Sequence, residues 1–312
     1  MLTIVATSLG ATLVLLALRD IFHQLFRPSG VGSVSGAIMR GVWRTFRPFA
    51  RRYPPLLTLA GPSALLAVIS NWVLLLVVGW ALVYWPRLSQ QFLLAPGLKP
   101  SEHAGFVDAL YFSLVTLSTL GYGNIAPTSD WLRVLAPLEA LLGFGLLTAS
   151  LAWVVSVYPP LTRRRSLAQQ ISLVRGAESE TGVAVARAGA GAAERRLDCL
   201  ASQLTAIRGD LSHFPVTYYF HTGDERSSLS ANMAYLLRLA QDGAGEDNLP
   251  QVRLSAAELR GAIDDFCAAI ASQFLDLPSS PTAKVLAAYA QDHLRASPED
   301  CGLGLGQGAD AS

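Results

Sequence analysis

Charge is scarce in this chain. Asp, Glu, Lys and Arg make up 15% of its 312 residues, against 51% hydrophobic residues, which is apolar for a soluble protein. The scarcity is uneven. Residues 1–158 are strongly apolar, and no charge occurs between Arg52 and Arg87. Residues 163–312 carry most of the acidic charge and contain no run long enough to cross a bilayer. Cysteine is scarce too. The three present, Cys199, Cys267 and Cys301, are odd in number and match no metal motif, so they read as reduced thiols in a reducing compartment. His213, His221 and His293 share no metal-ligand spacing. No strand is followed by G-x-G-x-x-G, and Gly189 and Gly191 lie in an alanine-rich stretch. We therefore expect no cofactor and no resident metal; the net charge of +1 is uninformative about nucleic acid, and no nucleic-acid partner is expected.

What is present is apolar length. About 20 apolar residues span the hydrocarbon core. Residues 1–18 are uncharged, Ser63 to Trp85 lies within the charge-free stretch, and Val134 to Thr162 contains one charge, Glu139. A fourth uncharged stretch, Ala109 to Ser129, is apolar only as far as Leu117 and then turns to Ser, Thr, Gly, Asn and Pro. A short apolar helix followed by irregular backbone reads as a re-entrant segment. Such backbone is tolerated at membrane depth only where protein buries it or it lines a watery path.

The loops set the orientation. Arg19, Arg27, Arg40, Arg44, Arg47, Arg51 and Arg52 stand against one acid, Asp20, in residues 19–61, and Arg163, Arg164 and Arg165 follow the last span. Both segments are expected to be cytoplasmic, which leaves the 86–105 loop and the N-terminus outside. Residues 1–18 lack the basic start of a signal peptide and are read as a span. Trp85 and Trp131 sit where an outer aromatic belt belongs. Arg40, Arg44, Arg47 and Arg51 share one helical face, with Val34, Ile38, Val42, Phe46 and Phe49 opposite. This predicts an amphipathic helix on the inner leaflet, kinked or ended by Pro48. The alternative, a voltage sensor, would need counter-charged helices around it.

The order is span, short helix, Thr-Leu-Gly-Tyr-Gly, span. With YFSLVTLSTLGYGNIAP at 111–127, residues 63–160 resemble the pore module of potassium channels. The resemblance implies an outer helix (63–85), a re-entrant pore helix with filter (106–124) and an inner helix (131–158) within a pore domain at 62–160. It implies that K+ is held at the carbonyls of Thr119, Leu120, Gly121 and Tyr122, with Gly123 completing the motif and the Thr119 hydroxyl adding an oxygen at the cytoplasmic end. Successive inward carbonyls require alternating backbone conformations, which Gly121 and Gly123 permit. The Tyr122 ring should face away from the axis, and Ser118 and Asn124 should support the filter. One chain supplies one such strand, so the resemblance implies a homotetramer. Leu120 replaces the family's usual Val or Ile. Asn124 replaces its usual Asp, which removes a charge from the outer mouth.

Glu139 is expected to hydrogen-bond pore-helix hydroxyls such as Ser113 or Thr116, or to be protonated, as a structural brace or a functional group. Gly143 and Gly145 admit two readings. By resemblance they hinge the inner helix, Gly143 having the better offset; by general membrane physics they mark close packing.

Residues 163–296 are expected to form a helical cytoplasmic domain. Leu197, Leu200, Leu204, Ile207 and Leu211 keep a three-four spacing that suits a parallel bundle or a globular helix. Ser227–Gln241 reads as a helix, and Ser255 with Glu258 as a capping box starting another. Pro281 suits the first turn of a helix to about Leu294. Residues 176–193 and 242–251 read as linkers, and 297–312 as a disordered tail. The whole is an all-α membrane protein with an added N-terminal span (1–18) and a basic segment (19–61). It is expected to sit in the plasma (inner) membrane as a K+-selective channel with lipid contacts and an unread cytoplasmic partner, and not to be an enzyme. The rivals are a weakly selective cation channel, a potassium transporter, and a membrane sensor whose pore does not conduct.

Overall fold

The structure is a computed structural model that describes residues 1–26, 32–96 and 103–295. Arg27, Lys99, Cys301 and the 297–312 tail lie outside the described residues. The chain folds as all-α, with helices α1 (Leu2–Phe26), α2 (Ser33–Ala50), α3 (Ala60–Tyr84), α4 (Leu88–Gln91), α5 (Phe106–Leu117), α6 (Asp130–Thr181), α7 (Ala190–His213), α8 (Leu229–Gly243), α9 (Pro250–Gln273) and α10 (Thr282–Asp292). Among the described residues, three helical stretches are long and apolar enough to cross a membrane: Leu2–Leu25, Pro54–Gln91 and Asp130–Thr181. The chain divides into two compact units, residues 1–42 with 63–156, and residues 43–62 with 157–312.

In the first unit α1 and α3 touch at glycines. A Cβ on Gly10 would overlap the Gly79 carbonyl oxygen, and one on Gly79 would lie 2.8 Å from Val14 Cγ2. This is the close backbone approach that small residues allow in a membrane. Helix α1 extends past residue 18 to Phe26, so Arg19 and Asp20 are helical. Asp20 is 4% exposed. Its carboxylate accepts from Trp72 Nε1 at 2.9 Å and from the Val34 backbone N–H at 3.1 Å, and it also accepts the Ser35 hydroxyl. An acid at the start of α2 satisfies donors that no helical partner can reach.

Two short antiparallel strands, β1 (Phe92–Leu94) and β2 (Ile125–Pro127), pair Leu93 with Ala126. They tie the loop after α3 to the chain leaving the glycine-rich segment. Inward of them, the rings of Tyr84, Phe92 and Phe112 meet edge to face at 5.0–5.9 Å, a preferred aromatic geometry.

Helix α2 differs from its expected amphipathic pattern. Ser35, Met39, Trp43 and Ala50 are the buried stripe, whereas Val34, Ile38, Val42 and Phe46 are half-buried and Phe49 is exposed. Pro48 lies inside the helix rather than ending it near Arg47. Arg47 leaves the basic face to pair with Asp292 at 3.3 Å.

Among the described residues, the regular elements of the second unit are all helices. α7 and α9 pack along one another, and α8 and α10 pack on α9. Leu197, Leu200, Leu204, Ile207 and Leu211 are buried in this unit, so in this structure they serve a globular core. The expected inner-helix end at 158 is not a helix end, because α6 continues to Thr181. The linker therefore shrinks to residues 182–189, which hold a short 3-10 turn. Ser255 is no cap: α9 starts at Pro250, and Ser255 is buried inside it. The earlier start follows from Pro250 at the first position, whose fixed φ and missing N–H suit a helix start.

An aromatic cluster organises this unit around Tyr218. Its ring stacks on Phe274 at 4.1 Å and meets Trp43, Tyr219 and His293 at 5.0–6.3 Å. Asp292 accepts from Tyr218 at 2.7 Å and from Trp43 Nε1 at 3.0 Å. His293 is buried, and burial followed by the charges of Arg164, His221, Arg295 and Arg47 holds its pKa well below the ordinary range. Burial, then Arg295 and Arg164, lowers His221 to about 4. Both rings are therefore neutral in the fold. Unfolding frees them to take protons near their ordinary pKa of about 6.5, so the unfolded chain gains protons first as pH falls. Their contribution is full above that value and is lost as pH drops below it; for His221 the loss levels off near its folded value. We expect the heat-denaturation midpoint of the full chain to fall by a few degrees between pH 7.5 and 5.5, and His293→Phe to flatten that slope.

Candidate functional site

The candidate site grows from the end of α5. Gly105 opens this helix, and its N–H donates to Asp108 Oδ2 at 3.1 Å. Ala109, Phe112, Ser113, Val115 and Leu117 form its buried side. The helix ends at Ser118 because the next residue leaves right-handed space: Thr119 has φ 60°. Gly121 follows at φ 58° and Gly123 at φ 74°, while Leu120 and Tyr122 between them are not at positive φ. The backbone thus alternates in handedness from residue 119 to 123. Such alternation turns successive carbonyls to a common side, which a strand or helix cannot do. A Cβ added at Gly121 or Gly123 would meet nothing within 4 Å, so these glycines serve backbone conformation rather than close packing. Thr119 is the costly member. A β-branched residue at positive φ stores strain of order 1–3 kcal/mol. Sequence reasoning named the two glycines but not this third left-handed residue.

The segment is tied back to α5 through its own backbone. Thr119 N–H donates to Thr116 O at 2.9 Å, Leu120 N–H to Val115 O at 3.0 Å, and Gly121 N–H to Val115 O at 3.4 Å. The Ser118 hydroxyl donates to Val115 O at 3.3 Å. On the far side, Asn124 Nδ2 donates to the Tyr111 hydroxyl at 3.0 Å, and the Asn124 carbonyl accepts from Ala95 N–H at 2.8 Å. Asn124 thus keeps a bracing bond without a charge. Tyr111, its partner, was not singled out in the sequence. Leu120 and Tyr122 project from the chain, 60% and 66% exposed.

Glu139 lies behind α5 at 0% exposure. The Ser113 hydroxyl donates to its Oε1 at 2.5 Å, and the Tyr84 hydroxyl donates to its Oε2 at 2.8 Å. One carboxyl group therefore joins α3, α5 and α6. The sequence pointed to Ser113 or Thr116; the structure gives Ser113, and it adds Tyr84, 55 positions earlier in the chain, which no local spacing could reveal.

The two inner-helix glycines part company. A Cβ on Gly143 would overlap the Leu117 carbonyl oxygen and come within 2.7 Å of its carbon, whereas Gly145 has nothing within 4 Å. Close packing accounts for Gly143: only a residue without a side chain lets α6 pass the end of α5. Farther along α6, Pro159 and Pro160 remove two backbone donors from the helix interior, which weakens the ladder there. Among the described residues, no three His, Cys, Asp or Glu side chains are grouped to hold a metal ion. Oxygen ligands for an ion in this region would come from backbone carbonyls and the Thr119 hydroxyl.

Residues 71–158 match the family described as "Ion channel". The chain is 25% identical over 253 residues to an uncharacterized membrane protein, YdjJ, of Bacillus subtilis, covering 79% of this chain and 72% of that protein. It is 50% identical over 50 residues to two-pore potassium channel 5 of Arabidopsis thaliana, covering 16% of this chain and 12% of that protein. It is 37% identical over 68 residues to the calcium-gated potassium channel TvoK of Thermoplasma volcanium, covering 22% of this chain and 19% of that protein. No solved structure matches the chain.

The geometry yields two outcomes to measure. Glu139→Ala leaves two buried hydroxyls without an acceptor and should destabilise the protein by about 2–4 kcal/mol. Glu139→Gln, which still accepts one bond, should cost less than about 1.5 kcal/mol; heat denaturation in detergent reads both. Gly143→Val should displace Leu117 and the turn after it, lowering the denaturation midpoint, while Gly145→Ala should leave it nearly unchanged.

Proposed function

We propose, from the match of residues 71–158 to the ion channel family, that the chain is one subunit of a homotetrameric potassium-selective channel. The observation that carries the reading is the alternation of left-handed residues at 119, 121 and 123, directly after a short helix between two spanning helices. Potassium channels among the relatives of this stretch favour K+ as the permeant ion.

The mechanism follows from the backbone. An ion entering a narrow pore must exchange its water for other oxygens at little net cost. Carbonyls of Thr119, Leu120, Gly121 and Tyr122, repeated from four copies, provide those oxygens, and the Thr119 hydroxyl adds one at the inner end. Ser118, Asn124 and Glu139 support the strand. The carbonyl end of α5 faces the filter's start and carries the negative end of the helix dipole, which favours a cation there. Conduction is passive and follows the ion gradient.

Four-fold assembly is supported by what one chain leaves uncovered. Leu120, Tyr122 and the α6 residues Phe144, Leu147, Leu151 and Val155 are all at least 60% exposed. Beside the filter, Phe112, Thr116, Ile125, Ala136 and Ala140 line an open groove of about 460 Å3. We assign a neighbour's Tyr122 ring to that groove, which Arg133 also lines. The arginines of residues 19–61 and Arg163–Arg165 support an orientation in the plasma membrane with the N-terminus outside and residues 163–296 in the cytoplasm. The gate is assigned to α6, with bending at Gly145, where a change of shape meets no neighbour, rather than at tightly packed Gly143.

Flux into liposomes holding the purified protein tests this reading. Potassium flux well above sodium flux, abolished by Gly121→Asp, is the expected result. Equal flux of both ions would make it a weakly selective cation channel, in keeping with Leu120 and Asn124. Absence of flux from the full chain and from a chain ending after Arg165 would favour a sensor with a silent pore.

A further inference from the structure

Within the second unit, residues Ala50–Thr58 and the loop at 221–223 face the end of α10 across a cleft of about 610 Å3. Ala50, Pro54, Pro55, Leu57 and Leu294 give it an apolar floor, and Arg51, His221 and Arg295 give it cationic and polar walls. The walls are fixed. The Phe220 ring lies against Gly61 so closely that a Cβ there would come within 2.5 Å of Cγ. Arg295 donates to the carbonyls of Thr222 and Gly223.

The charge in and around this cleft is poorly balanced. Among the described residues, no acidic side chain lines it. The Arg295 side chain is only 10% exposed; among the described residues its charge is offset in part by solvent-exposed Glu225 at 3.9 Å and by Asp224. Its Nε is buried without a hydrogen-bond partner. Arg164 is bonded to the backbone carbonyls of Thr217 and Phe220. Asp292 is already used by Trp43, Tyr218 and Arg47. Arg51 makes no side-chain hydrogen bond or ion pair among the described residues. The lowering of His221 to about 4 records the same positive potential after burial. An exposed Arg51 without a side-chain partner among the described residues and a partly compensated Arg295 whose Nε is unbonded, set over an apolar floor, match an anion with an organic body, and guanidinium prefers phosphate through paired hydrogen bonds.

We propose that this cleft is a binding site for an organic phosphate, the phosphate engaging Arg51 and Arg295 and the organic part lying on Pro54, Pro55 and Leu57. The phosphate belongs either to a soluble compound or to a lipid headgroup.

Two arms separate the sources. In detergent, the full chain is heated in increasing pyrophosphate at constant ionic strength set with chloride. In nanodiscs, it is heated in phosphatidylglycerol against phosphatidylcholine. A saturable rise of the midpoint with pyrophosphate is the result expected for a soluble phosphate. A rise confined to phosphatidylglycerol nanodiscs assigns the site to a lipid. In either case Arg51→Gln, which removes an exposed side chain with no structural bond, should weaken the response about tenfold, and the pKa of His221, read by histidine labelling, should rise when the site fills. Arg295→Lys, which keeps the charge but not the fork, should weaken it as well. No saturable response in either arm, or a response unchanged in Arg51→Gln, overturns the proposal. All readouts are binding readouts on the full chain, with acidic Glu299 and Asp300 present, so a failure of conduction leaves them interpretable.

Discussion

Glu139 places a carboxyl group among apolar helices at a depth water does not reach, and the position of the candidate filter rests on what that group holds. Its two oxygens take hydroxyls from Ser113 on α5 and Tyr84 on α3. In hydrocarbon, helices gain little by burying apolar surface against one another, because lipid is equally apolar. Directional bonds and close backbone contacts must then set the register of a short helix such as α5. The carboxyl group fixes one point along α5. The Gly143 contact with Leu117 fixes its end, four residues on from Ser113. Two points fix both the depth and the rotation of the helix, and the left-handed turn at Thr119 starts from there.

The same device recurs in both units. Asp20 takes Trp72 Nε1, the Ser35 hydroxyl and the first N–H groups of α2. Asp292 takes Trp43 Nε1 and the Tyr218 hydroxyl besides Arg47. In each case a poorly accessible carboxyl group is satisfied largely by hydroxyl or indole donors of Ser, Tyr and Trp. Such donors bring few rotatable bonds, and Tyr and Trp add a large apolar body, so they define geometry at low entropic cost. A lysine or arginine in their place would bring its own desolvation penalty into the membrane. The scarcity of charge in residues 1–158 and this choice of partners have one physical origin.

The sequence made legible what depends on local order. The runs of apolar residues read as spans, the break in apolarity after Leu117 read as the end of a short helix, and the all-α class followed from those spans and the helical spacings of residues 163–296. It also read the three-four spacing that becomes α7. What it hid depends on distant partners or on competing end signals. Tyr84 and Trp72 are ordinary apolar-helix residues until Glu139 and Asp20 meet them across the fold. Ser255 with Glu258 has the form of a cap, but Pro250 starts the helix a turn and more earlier, so the motif is swallowed by α9. In the sequence the uncharged run ends at residue 18, just before Arg19 and Asp20. Asp20 is satisfied by Trp72, Val34 and Ser35, all distant in sequence, and α1 runs on to Phe26. The basic stripe of α2 was correct as a pattern, yet Trp43 chose the buried face, since an indole with a bonded N–H outweighs a valine.

Thr119 bears on the proposed assembly of several copies of the chain. A β-branched residue at φ 60° persists only where its surroundings over-determine it. Within one chain, the bonds that restrain it run back to α5 through Thr116 and Val115, on one side of the backbone. On the other side stand exposed carbonyl-bearing peptides and the uncovered side chains of Leu120 and Tyr122. Apolar side chains so exposed beside an open groove need a partner surface, and peptides turned to one side need a cation to offset the mutual repulsion of their oxygens. In the proposed tetramer both are met at once: neighbouring copies cover Leu120 and Tyr122, and the permeant ion sits among the carbonyls. The strain at Thr119 then becomes part of the site's preorganisation, and removing the ion should loosen the same residues that removing a neighbour would expose.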